Sequence, residues 1–159
     1  MKVIYPGTFD PITYGHLDII ERACCIFDKV LVAVAENPWK NPLFTLRERV
    51  EMVKKTTSSL SRVAVESFSG LLVEFAREKK CKVILRGVRE ISDFEYEFQM
   101  ALSNRKIAPE IETIFMMPKE NYFFFSSRII KEIASLGGKL EEFVPPLVAE
   151  KLREKLFRP

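Results

Sequence analysis

The sequence contains one histidine, His16, and only three cysteines: Cys24, the adjacent Cys25, and Cys81. A single histidine excludes a multi-histidine metal centre and any mechanism that uses two imidazoles. The odd number of cysteines and their spacing fit neither a disulfide framework nor a zinc site. We therefore expect reduced cysteines and no metal held by protein side chains.

Long apolar runs and a strong net charge are also missing. No run reaches the roughly eighteen residues of a membrane-spanning helix, and Met1 leads into a strand-like segment instead of a cleavable signal. The 25 basic and 22 acidic residues leave a net charge of only +3, too small and dispersed for a nucleic-acid-binding stripe. These features predict a cytoplasmic protein that binds neither membrane nor nucleic acid, although a local anion site remains compatible with them.

The pattern of apolar residues predicts an α/β fold. With 159 residues and 47% apolar content, the chain can bury one substantial core but is short for two domains. Five nearly continuous apolar runs, each followed by a helix-like stretch, are typical of parallel strands covered on both faces. We predict a single-domain, doubly wound, Rossmann-like sheet of five parallel strands with helices on both faces. The predicted strands are residues 3–5, 30–35, 63–68, 83–85 and 111–117.

Two capping boxes, Thr45 with Glu48 and Ser92 with Glu95, predict where two helices begin. The apolar residues after Ser92 fall at helical spacing and predict a buried stripe, whose members are Phe94, Phe98, Ala101 and Leu102. Asp93 and Glu97 lie on a different flank, which could face a ligand. The other predicted helices are residues 15–27, 71–78, 127–135 and 146–156.

In such sheets ligands bind beyond the carboxyl ends of the strands, so the following loops should carry the site. The first loop has neither a G-x-G-x-x-G fingerprint nor a P-loop lysine motif, and phosphates must be bound differently. Gly15 would allow close approach to the backbone, and His16 would direct a ring N–H toward an anion at a helix N-terminus. A turn glycine with a capping histidine fits the same residues equally well.

The later loops supply cations and hydroxyls. Lys40 lies between two prolines that restrict the backbone, although a solvated surface lysine is the default interpretation. Arg86 and Arg89 follow a central strand, where their planar guanidinium groups suit phosphate oxygens. Ser126 and Ser127 precede a helix beside a third arginine, and this combination favours a phosphate cradle over capping alone.

Four segments together resemble the bacterial phosphopantetheine adenylyltransferase family: YPGTFDPIT-x-GH, NPWKNPLFTL-x-ERV, ILRGVR with DFEYE, and FSSRIIKEIA. The similarity extends over nearly the whole chain. The T-x-G-H element alone indicates only the broad nucleotidyltransferase superfamily, whereas ILRGVR followed by DFEYE narrows the match to this family. The resemblance implies transfer of the adenylyl group of ATP to 4′-phosphopantetheine, giving dephospho-coenzyme A and pyrophosphate.

The resemblance also implies roles for individual residues. His16 would stabilise the transition state, and Lys40 and Arg89 would be the other catalytic residues. The residues expected to contact phosphopantetheine are Thr8, Lys40, Leu72 and Arg86. The residues expected to bind ATP are Thr8, Phe9, His16, Gly87, Val88, Arg89, Glu97, Tyr122, Phe123, Phe124, Phe125, Ser126, Ser127 and Arg128.

Three further properties are implied by the family alone: a Mg²⁺ ion on the triphosphate, a homohexamer, and feedback inhibition by coenzyme A. Arg128 departs from the family, which usually carries a small hydroxyl residue at that place. An additional cation there would either touch the triphosphate or point into solvent.

The chemistry itself requires no general base. A phosphate monoester has a second pKa of about 6, so the acceptor is mostly dianionic near neutral pH. Catalysis requires alignment for in-line attack on the α-phosphorus, with cations and N–H donors directed at the developing charge. Two alternatives stay open: a sister transferase acting on nicotinate mononucleotide or a sugar-alcohol phosphate, and a non-catalytic nucleotide or coenzyme A sensor. An RNA-binding module would need a basic face and an aromatic motif that the chain lacks.

Overall fold

The computed structural model describes residues 1–89, 91–123 and 125–156. Within these ranges strands and helices alternate in the order β1 Lys2–Gly7, α1 Tyr14–Ile26, β2 Lys29–Ala35, α2 Leu46–Thr56, β3 Val63–Phe68, α3 Leu72–Glu78, β4 Val83–Gly87, α4 Ile91–Ile107, β5 Glu112–Met116, α5 Ser127–Ser135 and α6 Pro146–Leu156. Short 3₁₀ turns lie at Pro38–Lys40 and Glu120–Tyr122. None of the helices in the described ranges is long and apolar enough to span a membrane.

The strands form one parallel sheet in the order β3-β2-β1-β4-β5. The central strand β1 pairs with β2 from Lys2 opposite Lys29 to Gly7 opposite Val34, and with β4 at Ile4 opposite Ile84. The predicted five-stranded parallel sheet is confirmed. Because the strand order reverses between β1 and β4, the crevice at their carboxyl ends is the switch point where such sheets bind ligands.

Helices cover both faces of the sheet. Val3 and Tyr5 on β1 join a large apolar cluster with α1, α2, α5 and α6. Ile4, which points to the opposite face, joins a smaller cluster with Val73 and Phe75 of α3. Burial on both faces explains why the strands appear in the sequence as unbroken apolar runs.

One of the two predicted capping boxes is confirmed. The Thr45 hydroxyl accepts from the backbone N–H of Glu48 at 3.2 Å, and the backbone N–H of Thr45 donates to the Glu48 carboxylate at 2.8 Å. The prediction that Ser92 caps α4 is wrong, because the helix begins at Ile91 and Ser92 lies in its first turn. Acidic residues are favoured in any first turn by the helix dipole, so the S-x-x-E pattern does not require a capping serine.

The predicted buried stripe of α4 is also wrong. Phe94, Phe98 and Leu102 are 43%, 46% and 49% exposed. The flank that carries Asp93 and Glu97 faces the protein instead, where Glu97 pairs with Arg86 near the end of β4 and Asp93 pairs with Arg89 just after it. Helical spacing identifies an apolar flank but not what covers it, and within the described chain this flank of α4 stays exposed to solvent.

Candidate active site

Two adjoining cavities open at the carboxyl ends of the strands. The first, of about 650 Å³, lies against the loop after β1 and the N-termini of α1 and α5. The second, of about 550 Å³, lies toward the ends of β2 and β3 and against α4. We call the residues that line both cavities the shared wall: Pro6, Gly7, Thr8, Lys40, Arg86, Tyr96 and Glu97.

The fold brings most of the residues predicted for the site to these cavities. Those that line the first cavity are Thr8, Phe9, His16, Lys40, Arg86, Gly87, Arg89, Glu97, Phe125, Ser126, Ser127 and Arg128. Leu72 lines the second cavity. Val88, Tyr122 and Phe123 line neither of these two cavities, and Phe124 lies outside the described residues. The roles assigned to all these residues stay predictions.

His16 closes a capping box at the N-terminus of α1. Its backbone N–H donates to the Thr13 hydroxyl at 3.3 Å, and the backbone N–H of Thr13 donates to His16 Nδ1 at 3.0 Å. Because Nδ1 accepts this hydrogen bond, the neutral ring carries its proton on Nε2. The two interpretations of the motif are therefore compatible: Nδ1 caps the helix, and Nε2–H is the donor left for the cavity.

The surroundings of His16 keep its ring neutral. Burial, together with the smaller effect of the charges of Arg89 and Arg86, lowers the pKa of His16 from 6.5 to about 3. Phe9 packs edge-on against the imidazole with 5.0 Å between ring centroids. Phe9 has a φ of 49°, a left-handed conformation that is uncommon for a bulky residue and that recurs at functional sites. The ring is thus a fixed, uncharged hydrogen-bond donor near neutral pH.

Arg86 and Glu97, predicted to contact different substrates, form one ion pair on the shared wall. Arg86 Nε donates to Glu97 Oε2 at 2.6 Å, Nη2 donates to Oε1, and Nη1 donates to the carbonyl of Pro6 at 2.9 Å. Burial lowers the pKa of Arg86, but the hydrogen bonds and charge of Glu97 outweigh this effect and raise it. The pairing fixes the guanidinium group and leaves one N–H on each terminal nitrogen for an anion.

Arg89 is oriented in a similar way. Its Nε donates to Asp93 Oδ2 at 3.1 Å, and among the described residues this is the side-chain partner of Arg89, which lines the first cavity. Gly87 allows the close approach of β4 and α1, because a Cβ atom there would lie 2.7 Å from Ile19 Cδ1. Both arginines lie close enough to His16 for their charges to lower its pKa.

The N-termini of α1 and α5 meet at the first cavity. Ser126 caps α5 by accepting from the backbone N–H of Ile129 at 3.2 Å, whereas the Ser127 hydroxyl donates to the carbonyl of Pro11 at 3.0 Å. Neither helix has an acidic residue in its first turn. The exposed amides and dipoles of two helix N-termini favour an anion between them.

Sequence reasoning missed Asp10 and Lys131, and also Arg49, a buried arginine of α2 that donates to the carbonyl of Thr8 at 2.7 Å. The Asp10 carboxylate is 6% exposed and accepts from the backbone N–H groups of Leu43 and Phe44, both at 2.9 Å, and from Lys131 Nζ at 2.8 Å. Lys131 also lines the first cavity. An aspartate in a proline-containing loop is typical of an ordinary turn, so no local signal identifies this buried network.

The site is suited to anions more than to a protein-bound metal. Among the described residues no group of three or more histidine, cysteine, aspartate or glutamate side chains could hold a metal ion. The carboxylates lining the first cavity are each paired with a cation: Asp10 with Lys131, Asp93 with Arg89, and Glu97 with Arg86. A divalent ion entering this cavity would find its ligands chiefly on the anion itself.

Comparison with known proteins identifies the family. A family model described as Cytidylyltransferase-like matches residues 4–133. The phosphopantetheine adenylyltransferase of Caldanaerobacter subterraneus subsp. tengcongensis is 55% identical over 152 residues, which cover 96% of this chain and 95% of that protein. The phosphopantetheine adenylyltransferase of Alkaliphilus metalliredigens is 53% identical over 156 residues, covering 98% of this chain and 99% of that protein.

A solved structure supports the fold. A candidate nicotinate-nucleotide adenylyltransferase from Vibrio parahaemolyticus matches with a TM-score of 0.71 over 96% of this chain and 97% of its own, at 18% identity. Identity this low bears on the fold alone, whereas the relatives at 53% and 55% identity match almost from end to end. The chain belongs to the cytidylyltransferase-like family and, within it, to the phosphopantetheine adenylyltransferases, which are nucleotidyltransferase enzymes.

Proposed function

We propose that this chain transfers the adenylyl group of ATP to the phosphate of 4′-phosphopantetheine, giving dephospho-coenzyme A and pyrophosphate. The observation that carries this proposal is the pair of cavities that meet at Thr8, Lys40 and Arg86. A reaction between two phosphate-bearing molecules requires two binding cavities with cations where they join. The proposed activity is the one named by the relatives.

We assign ATP to the first cavity and the pantetheine arm to the second. The first cavity has the two helix N-termini and Arg89, which suit a triphosphate. The second has apolar side chains such as Leu72 and Met100 together with the amide of Asn104. These groups suit a flexible arm that carries methyl groups, amides and a thiol.

In the proposed reaction the acceptor dianion attacks the α-phosphorus of ATP in line with the leaving group. One phosphorus–oxygen bond forms, the bond to the bridging oxygen of the β-phosphate breaks, and its electron pair leaves with pyrophosphate. Lys40 and Arg86 orient the acceptor phosphate, and His16 donates a hydrogen bond from Nε2 to the charge developing on the α-phosphate. Because the pKa of His16 is lowered to about 3, the ring is neutral near neutral pH, and it stabilises this charge by donating a hydrogen bond and not as a general acid.

Mg²⁺ enters this proposal as part of the nucleotide substrate. The paired state of Asp10, Asp93 and Glu97 supports a metal carried mainly by phosphate oxygens and water, an arrangement common for Mg²⁺. Bound there, the ion would add positive charge at the triphosphate.

Two further proposals concern assembly and regulation. The exposed apolar flank of α4, with Phe115 of β5 and Met117 just after that strand, supports a homo-oligomer, and the family suggests a hexamer. Coenzyme A contains both an adenine nucleotide and a pantetheine arm, so it could occupy both cavities and inhibit the enzyme. A cytoplasmic location stays a prediction.

The test is pyrophosphate release with ATP, Mg²⁺ and a panel of acceptors. We expect product with 4′-phosphopantetheine, and little with nicotinate mononucleotide, a sugar-alcohol phosphate or no acceptor. Preference for nicotinate mononucleotide would replace this proposal with a sister transferase. ATP binding without pyrophosphate release for any acceptor would make the chain a nucleotide sensor.

A further inference from the structure

Arg49, on α2, is only 1% exposed and lies where the loops that carry the shared wall converge. Its hydrogen bonds within the described chain all go to backbone carbonyls. Nε donates to Phe44 at 3.1 Å, Nη1 donates to Thr8 and to Ala35 at 2.7 Å each, and Nη2 donates to Glu36 at 3.1 Å. One side chain of α2 therefore joins the loop after β1, the end of β2 and the segment that leads into α2.

A guanidinium group in this position is costly to bury, so packing alone does not account for it. Burial lowers the pKa of Arg49, and the charges of Asp10 and Glu36 oppose the shift. Asp10 also binds the same segment, because its carboxylate accepts from the N–H of Phe44 while Arg49 donates to the Phe44 carbonyl. The two charges together fix the segment that closes the loop carrying Lys40.

The carbonyls that Arg49 binds belong to the segments that supply two residues of the shared wall. Thr8 is itself on that wall, and Glu36 begins the loop that reaches Lys40 four residues later. We propose that Arg49 is a positioning residue that sets the distance between Thr8 and Lys40, and thus the alignment of the acceptor phosphate with the α-phosphorus. This inference rests on the proposed adenylyl transfer.

The fork of the arginine is what makes this arrangement possible. Its five N–H donors lie in one plane and reach several carbonyls at once, whereas a lysine ammonium is a compact group on a flexible stem. A displacement of about 1 Å at a reacting group can cost on the order of 10²-fold in rate. Arg49→Lys keeps the positive charge but should lose the set of hydrogen bonds that joins the backbone carbonyls of the three segments.

The experiment compares Arg49→Lys and Arg49→Met with Met52→Ala. Met52 is 1% exposed on the same helix and joins the apolar core, so its truncation destabilises the fold by another route. We expect kcat with 4′-phosphopantetheine to fall by about 10- to 100-fold in Arg49→Lys, with the calorimetric Kd for ATP within about threefold of wild type. Met52→Ala, with its lower melting temperature, should keep kcat within about twofold.

A readout that needs no turnover separates this inference from the proposed function. Amide hydrogen exchange of residues 36–43 should become faster in Arg49→Lys and stay unchanged in Met52→Ala. If the wild type releases no pyrophosphate, the proposed function is wrong. Amide hydrogen exchange of residues 36–43 then tests by itself whether Arg49 fixes the loop that carries Lys40. Normal kcat and unchanged exchange in folded Arg49→Lys would overturn the inference, as would an equal loss of kcat in Met52→Ala. If Arg49→Met does not fold, Arg49→Lys carries the test.

Discussion

The two cavities differ in how firmly their walls are held. In the first, Asp93 pairs with Arg89 and Asp10 pairs with Lys131, and His16 is fixed by Thr13 and Phe9. At the rim of the second, Trp39 and Leu71 are 94% and 58% exposed. Preorganised polar groups stabilise a transition state most effectively, whereas apolar contacts discriminate only modestly between ligands. The comparison favours the first cavity as the place of the chemical step, and it fits the proposed assignment of the acceptor's pantetheine arm to the second.

Removal of the His16 ring is the strongest test of the first cavity. We expect His16→Ala to lower kcat by on the order of 10²–10³, because one preorganised donor to the transition state is lost. The calorimetric affinity for ATP should stay within about several-fold of wild type, since the bond is made chiefly in the transition state. The measurement is steady-state kinetics beside calorimetry on the folded variant.

His16 also caps α1, so the two roles need a control. Glutamine is a usual partner in a capping box and can accept from the backbone N–H of Thr13. His16→Gln should regain the stability lost in His16→Ala, which is about 1 kcal/mol. If the ring acts on the transition state, His16→Gln should still have the low kcat of His16→Ala. Near-normal kcat in either folded variant would contradict the catalytic role.

Replacement of Lys40 tests the wall where the cavities meet. Lys40→Ala should raise the KM for 4′-phosphopantetheine by about 10- to 100-fold, because one charged hydrogen bond to the acceptor phosphate is lost. ATP affinity should change much less. Lys54→Ala, an exposed lysine at the far end of α2, is the matched control and should have no effect. An equal loss toward both substrates would count against the assignment of Lys40 to the acceptor.

The burial of His16 predicts how stability depends on pH. Its pKa is lowered from 6.5 to about 3 in the folded chain, so the unfolded chain binds the additional proton between these values. The contribution of neutral His16 to the free energy of unfolding is therefore complete above pH 6.5 and is lost as the pH falls toward 3. From about pH 6.5 to about pH 5 the loss should be roughly 1.5 kcal/mol. Urea unfolding at each pH measures it, and His16→Gln should lack this component.

Arg128 should give the smallest effect, although it lines the first cavity. Arg128→Ser introduces the small hydroxyl that the family resemblance leads us to expect at this position, and the remaining cations and helix N-termini should still hold the triphosphate. We expect kcat and the KM for ATP to change by less than about threefold. A collapse of turnover in the folded variant would show that triphosphate binding in this chain depends on Arg128.

The sequence carried much of the information about the fold. The order of strands and helices, the capping box at Thr45 and the helices at Ser127–Ser135 and Pro146–Leu156 could all be predicted. The loops after β1 and β4 could also be identified as the site, because parallel strands end at one edge of a sheet. Motif spacing further placed His16, Arg86 and Arg89 among the candidate residues.

The sequence by itself determined what depends on neighbours within a turn or two of the chain, namely periodicity, capping and motif spacing. Only the tertiary structure decided that the apolar flank of α4 faces outward and that Arg86 pairs with Glu97. It also decided that Arg49 and Asp10 are buried. These properties depend on segments far apart in the chain, and burial, charge pairing and the resulting pKa shifts exist only after those segments pack together.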